Sequence, residues 1–224
     1  MYFHSSLELN NHEKRLYLFC RSNKFSYLYC LINETHNPQL QMKVLPKNEL
    51  AALIQSWDNL ALVLGNISNH PEYLQALMNI AFDESDDRNW RAAWMVDKIN
   101  EKHPELVTPY LPVITDFVLI TKNASKKRHL LKLISLHSIP EDKMAILLNY
   151  CINVFTSASE PVAVRVHAMQ ILFNISLKEP DFAGELTELI EHEIEFHGSA
   201  GITSRGRRLL KRLAHPNMKG KALT

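Results

Sequence analysis

The chain has 224 residues, a net charge of about +1 and 46% hydrophobic residues, which is the profile of an ordinary globular protein. So small a net charge does not by itself indicate a nucleic-acid-binding protein, and no apolar run approaches the roughly 18 residues that a membrane span requires. Only six glycines are present, which disfavours a turn-rich β protein and suits helices joined by short loops.

Residues 1–41 differ in composition from the rest of the chain. They hold two of the three cysteines and seven aromatic residues. We expect the repeat domain to begin near Met42, with 1–41 being either a poorly docked extension or non-native sequence from upstream translation. The cysteines Cys20, Cys30 and Cys151 are an odd number without metal-ligand spacing, and there is no secretory signal, so we expect reduced thiols in a cytoplasmic protein.

A proline followed by an acidic residue marks four helix starts. Proline suits the first helical position, where its missing N–H costs nothing, and the acid complements the positive helix end. The four pairs are Pro71-Glu72, Pro104-Glu105, Pro140-Glu141 and Pro180-Asp181. Their spacings of 33, 36 and 40 residues are close to the periods of helical repeat proteins. The predicted helix pairs, after one or two capping helices in 46–66, are 71–83 with 87–102, 104–122 with 124–138, 140–157 with 160–177, and 180–197 with 201–214.

A second series of residues marks the second helix of each pair. WRAAWMVDKI, KRHLLKLISL, VRVHAMQILF and SRGRRLLKRL align without gaps on one arginine column, formed by Arg91, Arg128, Arg165 and Arg205. Eight positions further on, every copy is apolar, with Ile99, Leu136, Phe173 and Leu213. We expect that apolar column to be buried on one helix face. Because one short helix pair cannot hide its apolar face alone, neighbouring pairs must stack.

These copies resemble HEAT repeats. PVAVRVHAMQILFNI is similar to the second helix of a HEAT repeat, and PELVTPYLPVITDFV is similar to a first helix that Pro109 and Pro112 would bend. The resemblance covers about residues 46–214. It implies an all-α fold, a short right-handed α-α superhelix of about four helix pairs plus an N-terminal cap. The repeat domain is then expected over 42–214, followed by a basic tail at 215–224.

The resemblance also implies a class of function. In HEAT-like solenoids the second helices line the concave surface, which would place the four column arginines along one groove. An anionic partner, such as an acidic peptide or a phosphate backbone, could bind there. Alternatively, each arginine pairs with an acid of its own or the next unit; the acids that lie close before Arg91 and Arg165 are Asp86, Asp87 and Glu160.

We therefore expect a non-enzymatic scaffold that presents its concave face to a protein partner. Nucleic acid is the alternative partner, and no membrane partner is expected. We also expect no cofactor, because neither a GxGxxG nor a GxxxxGK[ST] motif occurs in the sequence.

Residues 89–99, NWRAAWMVDKI, carry the one enzyme hypothesis. Trp90, Trp94 and Asp97 fall within about 60° of one helix face. They resemble the cleft of HEAT-like DNA alkylation repair glycosylases, which implies that Asp97 would stabilise positive charge on the sugar while the indoles hold the lesion. Against this, Asp97 follows Trp94 by three residues, where that family has four. The alternative is that Trp94 packs between repeats and Asp97 pairs with a neighbouring arginine or lysine.

The C-terminal region is strongly basic. From Gly198 onward there are seven basic residues and no acid. They include a basic patch of four side chains: Arg207, Arg208, Lys211 and Arg212. The patch is either neutralised by the acidic helix before it or binds a polyanion such as nucleic acid. No aromatic residue is interleaved to stack bases, which weakens the second interpretation.

Histidines suggest little chemistry in this sequence. His192 and His197 flank Glu193 in an HExxH-like string, but they are five residues apart and diverge by about 140° around a helix, so we expect no metal site. His129 and His167 lie near the arginine column without a neighbour that completes a catalytic set.

Overall fold

The computed structural model describes residues 47–55 and 72–215. Within these ranges every regular element is helical, with short 3₁₀ turns at Asp87–Asn89 and Thr108–Tyr110. The α-helices are α1 Lys47–Ile54, α2 Glu72–Ala81, α3 Trp90–Lys102, α4 Pro104–Val107, α5 Leu111–Val118, α6 Ala124–Leu136, α7 Glu141–Thr156, α8 Val162–Ser176, α9 Phe182–His197 and α10 Ala200–Ala214. None of these described helices is long and apolar enough to cross a membrane. The predicted extension 1–41 lies outside the described residues, as does the tail after His215.

Four helix pairs follow one another along the chain, as the sequence predicts. They are α2 with α3, α4–α5 with α6, α7 with α8, and α9 with α10, and α1 packs against α2 ahead of them. Between pairs, each second helix packs against the next, from α3 to α6 to α8 to α10. The pairs therefore stack through their second helices, and the prediction of a stacked all-helical array is confirmed.

Among the described residues, the prolines of the proline-acid pairs lie within two residues of a helix start. Pro104 is the first residue of α4, whereas Pro140 is the N-cap of α7, and Pro180 precedes the N-cap Asp181 of α9. Pro140 lies one position earlier relative to its helix than Pro104 does. Its backbone is extended, with φ of −60° and ψ of 139°, as an N-cap requires. Proline fits this position as well as the first helical one.

The two internal prolines interrupt the first helix of the second unit. Pro109 lies in the 3₁₀ turn Thr108–Tyr110, and Pro112 is the second residue of α5. Because proline has no N–H to donate, a continuous helix would lose two backbone hydrogen bonds there. The hydroxyl of Thr108 donates to the carbonyl of Pro104 at 2.9 Å. The expected bend is thus an α–3₁₀–α sequence.

The apolar column of the second helices is buried in part. Ile99 and Phe173 are buried and Leu213 is half-buried, but Leu136 is 58% exposed. The expectation of burial was wrong at Leu136, because α6 ends at that residue and not at 138. Cys151 lies fully in the core, as expected of an apolar-flanked cysteine, and burial raises the pKa of its thiol far above the usual range. The thiol is therefore protonated and unreactive at neutral pH.

Side chains also tie the first, second and third units to the backbone of the helix or unit before them. In each tie a donor reaches a carbonyl oxygen at or just after the end of an earlier helix. The ties are Arg91 to Gln55, Lys126 to Asp83, Tyr150 to Val118, Asn174 to Ser135 and Lys178 to Ile139. They add directional hydrogen bonds to the apolar packing. They also give a buried donor such as Lys126 the hydrogen-bond acceptor that it needs.

Candidate functional site

The second helices α3, α6, α8 and α10 share one continuous polar surface. Contacts between partly exposed groups cross each junction. They join Lys132 Nζ to Glu101 Oε1 at 3.0 Å, the Asn174 amide to the Ser135 carbonyl at 2.8 Å, and Arg205 Nη1 to Gln170 Oε1 at 2.8 Å. We call this surface, which also includes Trp90, Arg128, His167 and Arg208, the second-helix face, and Trp94 is half-buried on α3.

A cluster around Asp97 occupies the α3–α6 part of this face. The Asp97 side chain is only 3% exposed. It accepts a hydrogen bond from His129 Nδ1 at 3.1 Å, and its other oxygen lies 2.7 Å from Lys132 Nζ. Lys132 also contacts Glu101 at 3.0 Å. The prediction that Asp97 pairs with a neighbouring lysine or arginine is confirmed, and the partner lies in the next unit.

Arg128 and Trp90 meet on the imidazole of His129. The Arg128 Nη2 atom lies 2.8 Å from His129 Nε2. Because a guanidinium can only donate, Nε2 is the acceptor and the ring proton lies on Nδ1, facing Asp97. The Trp90 indole stacks on the same ring, with planes 5° apart and centroids 6.2 Å apart. Asp97 thus orients the His129 ring. That ring in turn holds the exposed guanidinium of Arg128 and the half-buried indole of Trp90.

The charges of this cluster are stable at neutral pH. Burial alone would raise the pKa of Asp97, but the hydrogen bonds from His129 and Lys132 outweigh it and hold that pKa below its usual value. Burial likewise opposes the charge on Lys132, yet its bonds to Asp97 and Glu101 raise its pKa. Neither group is tuned towards pH 7, as a general acid or base would be. The arrangement is that of a structural ion pair.

We expect Asp97→Asn to lower the free energy of unfolding by about 2 kcal/mol at neutral pH, because Lys132 and His129 lose a buried anion. The folded pKa of Asp97 is depressed, so its contribution is present above about pH 4 and is lost as the pH falls further. Urea unfolding at pH 7 and pH 3 measures both effects. Glu101→Gln, which removes a more exposed partner of Lys132, serves as control, and equal losses in the two variants would contradict the prediction.

The four column arginines lie in four different environments. Arg91 is half-buried and donates to the Gln55 carbonyl, while Arg128 is exposed. Arg165 is buried, and Arg205 is half-buried and bonded to Gln170. Only Arg128 and Arg205 therefore present their guanidinium groups to the second-helix face.

Two of the three acids that the sequence suggested as arginine partners bind other cations. Asp86 binds Arg88 at 2.8 Å, and Glu160 binds Lys127 of the preceding unit. Arg165 instead meets Glu193 of the next unit, at 2.5 Å between Nη2 and Oε2, and its Nε donates to the Phe155 carbonyl at 2.8 Å. The exposed fractions of the Arg165 and Glu193 side chains are 5% and 2%. This buried ion pair joins the third and fourth units.

A family model for the HEAT repeat domain matches residues 47–213. The chain belongs to the HEAT repeat family. The match spans all four helix pairs and the preceding α1, which confirms the family resemblance seen in the sequence. No curated protein and no solved structure matches the chain.

The last HEAT repeat presents the predicted basic patch. Arg207, Arg208, Lys211 and Arg212 are all exposed on α10, while Ile202, Gly206 and Leu209 form its buried side. The Arg212 guanidinium lies over the ring of Phe173, 4.5 Å from its centroid. Within residues 182–214 no ion pair joins an acid of α9 to a base of α10. The positive charge of the patch is thus not neutralised by direct contact with the acidic helix.

The same HEAT repeat brings together the histidines of the HExxH-like string. His192 and His197 were expected to diverge, yet both Nδ1 atoms turn towards the carboxylate of Glu193. The reason is that Glu193 lies between them, one residue after His192 and one helical turn before His197. The three groups are the only set in the described residues with three such ligand atoms within 4.8 Å of one another.

The sequence did not predict the roles of the residues that complete these sites. Lys132, Glu193 and His167 became significant only through contacts or charges from other HEAT repeats. Burial, together with the positive charges of Arg205 and Lys132, lowers the pKa of His167 to about 4. A usable signal was present for His129, because it directly follows the column residue Arg128. Its partner Asp97 is 32 residues away in sequence, so no local motif joins them.

Proposed function

We propose that this HEAT repeat protein is a non-enzymatic interaction module that binds an acidic segment of a partner protein along the second-helix face. Stacked helical repeats form extended surfaces suited to chain-like partners. The observation that carries the proposal is the exposed guanidinium of Arg128 beside the half-buried indole of Trp90, both held by His129. Arginine and tryptophan are the residue types that dominate binding energy at protein interfaces.

The electrostatics of the face favour an anionic partner. Its acids are engaged internally, since Asp97 and Glu101 both contact Lys132. Burial and the nearby charge of Arg208 lower the pKa of Arg205, so two cations lie close together, and no acid of residues 47–55 or 72–215 forms an ion pair with either. Carboxylates of a partner would relieve this repulsion and form charge-assisted hydrogen bonds.

The glycosylase-like alternative has less support from this geometry. It needs the Asp97 carboxylate to face a bound nucleotide, whereas both oxygens lie within 3.0 Å of Lys132 Nζ on α6 and the side chain is nearly inaccessible. The basic patch of α10 still supports a nucleic-acid partner, because phosphate binding depends on clustered lysine and arginine. Nucleic acid is therefore an arm of the experiment.

Selection of random 16-residue peptides on the purified protein tests the proposal. We expect enrichment of sequences rich in aspartate and glutamate with interspersed apolar residues. Arg128→Gln should weaken a selected peptide about tenfold, the loss of one charge-assisted hydrogen bond. Lys143→Gln is the matched control, because Lys143 lies on the first helix α7 and pairs with Asp116; it should leave affinity unchanged.

Two results would overturn the proposal. One is a selection without acidic enrichment, or peptides that bind Arg128→Gln as tightly as the original protein. The other is a fluorescent DNA or RNA duplex that binds at low salt more tightly than any selected peptide and is released by Arg128→Gln, which would make nucleic acid the partner.

A further inference from the structure

Three potential metal ligands converge near the C-terminal end of α9. His192 Nδ1 lies 3.6 Å from Glu193 Oε1, and His197 Nδ1 lies 3.2 Å from Glu193 Oε2. All three ligand atoms are within 4.8 Å of one another. The histidines are about half exposed, whereas Glu193 is buried. The buried Glu193 carboxylate is therefore held in place, whereas the two half-exposed imidazoles can change their side-chain rotation.

The surrounding residues orient this group. Arg165 donates to Glu193 Oε2 at 2.5 Å and holds the carboxylate in place from α8. The other oxygen, Oε1, is not taken by Arg165 and faces His192. The ring of His192 packs against Phe196, with centroids 4.7 Å apart, which limits its rotation. Hydrogen bonds from outside a ligand set are the usual means of orienting metal-binding carboxylates.

We propose that His192, Glu193 and His197 form a binding site for a divalent ion of the Zn²⁺ class. Two imidazoles and one carboxylate are the ligand types that zinc accepts, with water completing a four-coordinate shell. Ligands about 2.0–2.1 Å from zinc lie roughly 3.4 Å apart in a tetrahedron, so the two exposed histidines need only a small inward rotation. The negative end of the α9 dipole also favours a cation at this position.

The positive charge of Arg165 opposes the metal and sets its affinity. The guanidinium neutralises part of the Glu193 charge, so the site is weaker than one with a free carboxylate. Binding also requires that the metal-binding nitrogen of each imidazole carries no proton. With an ion bound, Glu193 would contact two cations: Arg165 of α8 at Oε2 and the metal at Oε1.

Zinc titration of the full chain by calorimetry at pH 7.5, with Co²⁺ absorption as a spectroscopic readout, tests this site. We expect one ion per chain at the site, and at least a tenfold loss of affinity in His192→Gln and in His197→Gln. His103→Gln is the matched control: His103 is a partly exposed histidine 3.3 Å from Glu105, a pair without a third ligand. It should bind zinc unchanged. Circular dichroism establishes that each variant is folded.

Several outcomes would refute the site. The first is the absence of zinc binding by the original chain. The second is zinc binding that survives both α9 substitutions, which would assign the ion to another place in the chain. A loss of binding in His103→Gln equal to that in His197→Gln would show adventitious binding by surface histidines. None of these results would bear on peptide binding at Arg128.

Discussion

Replacing Arg165 by methionine is expected to lower the free energy of unfolding by about 3–5 kcal/mol, because Glu193 would remain buried without its partner charge. Arg165 also donates to the Phe155 carbonyl, which would lose that partner. Urea unfolding followed by circular dichroism measures the change. Because the whole fold is stable by only about 5–15 kcal/mol, this variant should unfold at urea concentrations in which the original chain is still folded.

Two further variants make the cause of this loss testable. Arg128→Met changes the same column position in the preceding unit, but at an exposed site, and should shift stability by less than about 0.5 kcal/mol. Combining Arg165→Met with Glu193→Leu removes both charges and should recover much of the loss. If Arg165→Met were no more harmful than Arg128→Met, the buried ion pair would not be what joins the third and fourth units.

Acidification from about pH 6.5 to about pH 4 is expected to destabilise the fold by about 3 kcal/mol through His167 alone. Burial, with help from Arg205 and Lys132, lowers the pKa of His167 to about 4 in the folded chain. The unfolded chain binds the proton more readily across this interval. The stabilising difference is therefore fully present above about pH 6.5 and is lost as the pH falls to 4.

His167→Gln separates this effect from other acid-sensitive groups. The variant should show a flatter dependence of unfolding free energy on pH between 6.5 and 4, whereas His103→Gln should keep the original slope. The stability that Asp97 contributes is lost in a lower pH range, below about pH 4, because the folded protein lowers a pKa that is already acidic. An unchanged slope in His167→Gln would show that this imidazole is hydrated in the folded protein.

The helix pairs were predictable because their signals are local. Pro104 and the acid after Pro180 mark helix starts by backbone constraint and by charge, and neither depends on a neighbour in space. The arginine column likewise identified the second helices. The same periodicity could not tell Arg128 from Arg165, since one is exposed and the other buried only because of what the adjacent unit provides.

The site required contacts that no sequence pattern contains. Asp97 stood out because it shares a helix face with Trp90 and Trp94, and its pairing with a neighbouring cation was one of two interpretations. That the cation is Lys132, and that His129 shares the carboxylate, follows from the packing of α3 on α6. Helical spacing placed His192 and His197 on different faces, but side-chain rotation towards Glu193 brings both to one point.

The ties between units have a consequence for the order of folding. Each joins a side chain to a backbone oxygen about one repeat earlier, as from Lys126 to Asp83 and from Lys178 to Ile139. The accepting carbonyl lies where an earlier helix ends, so it is in position only after that helix has formed. We therefore expect a unit to gain these contacts only after the neighbour before it has formed, so that structure extends from one unit to the next.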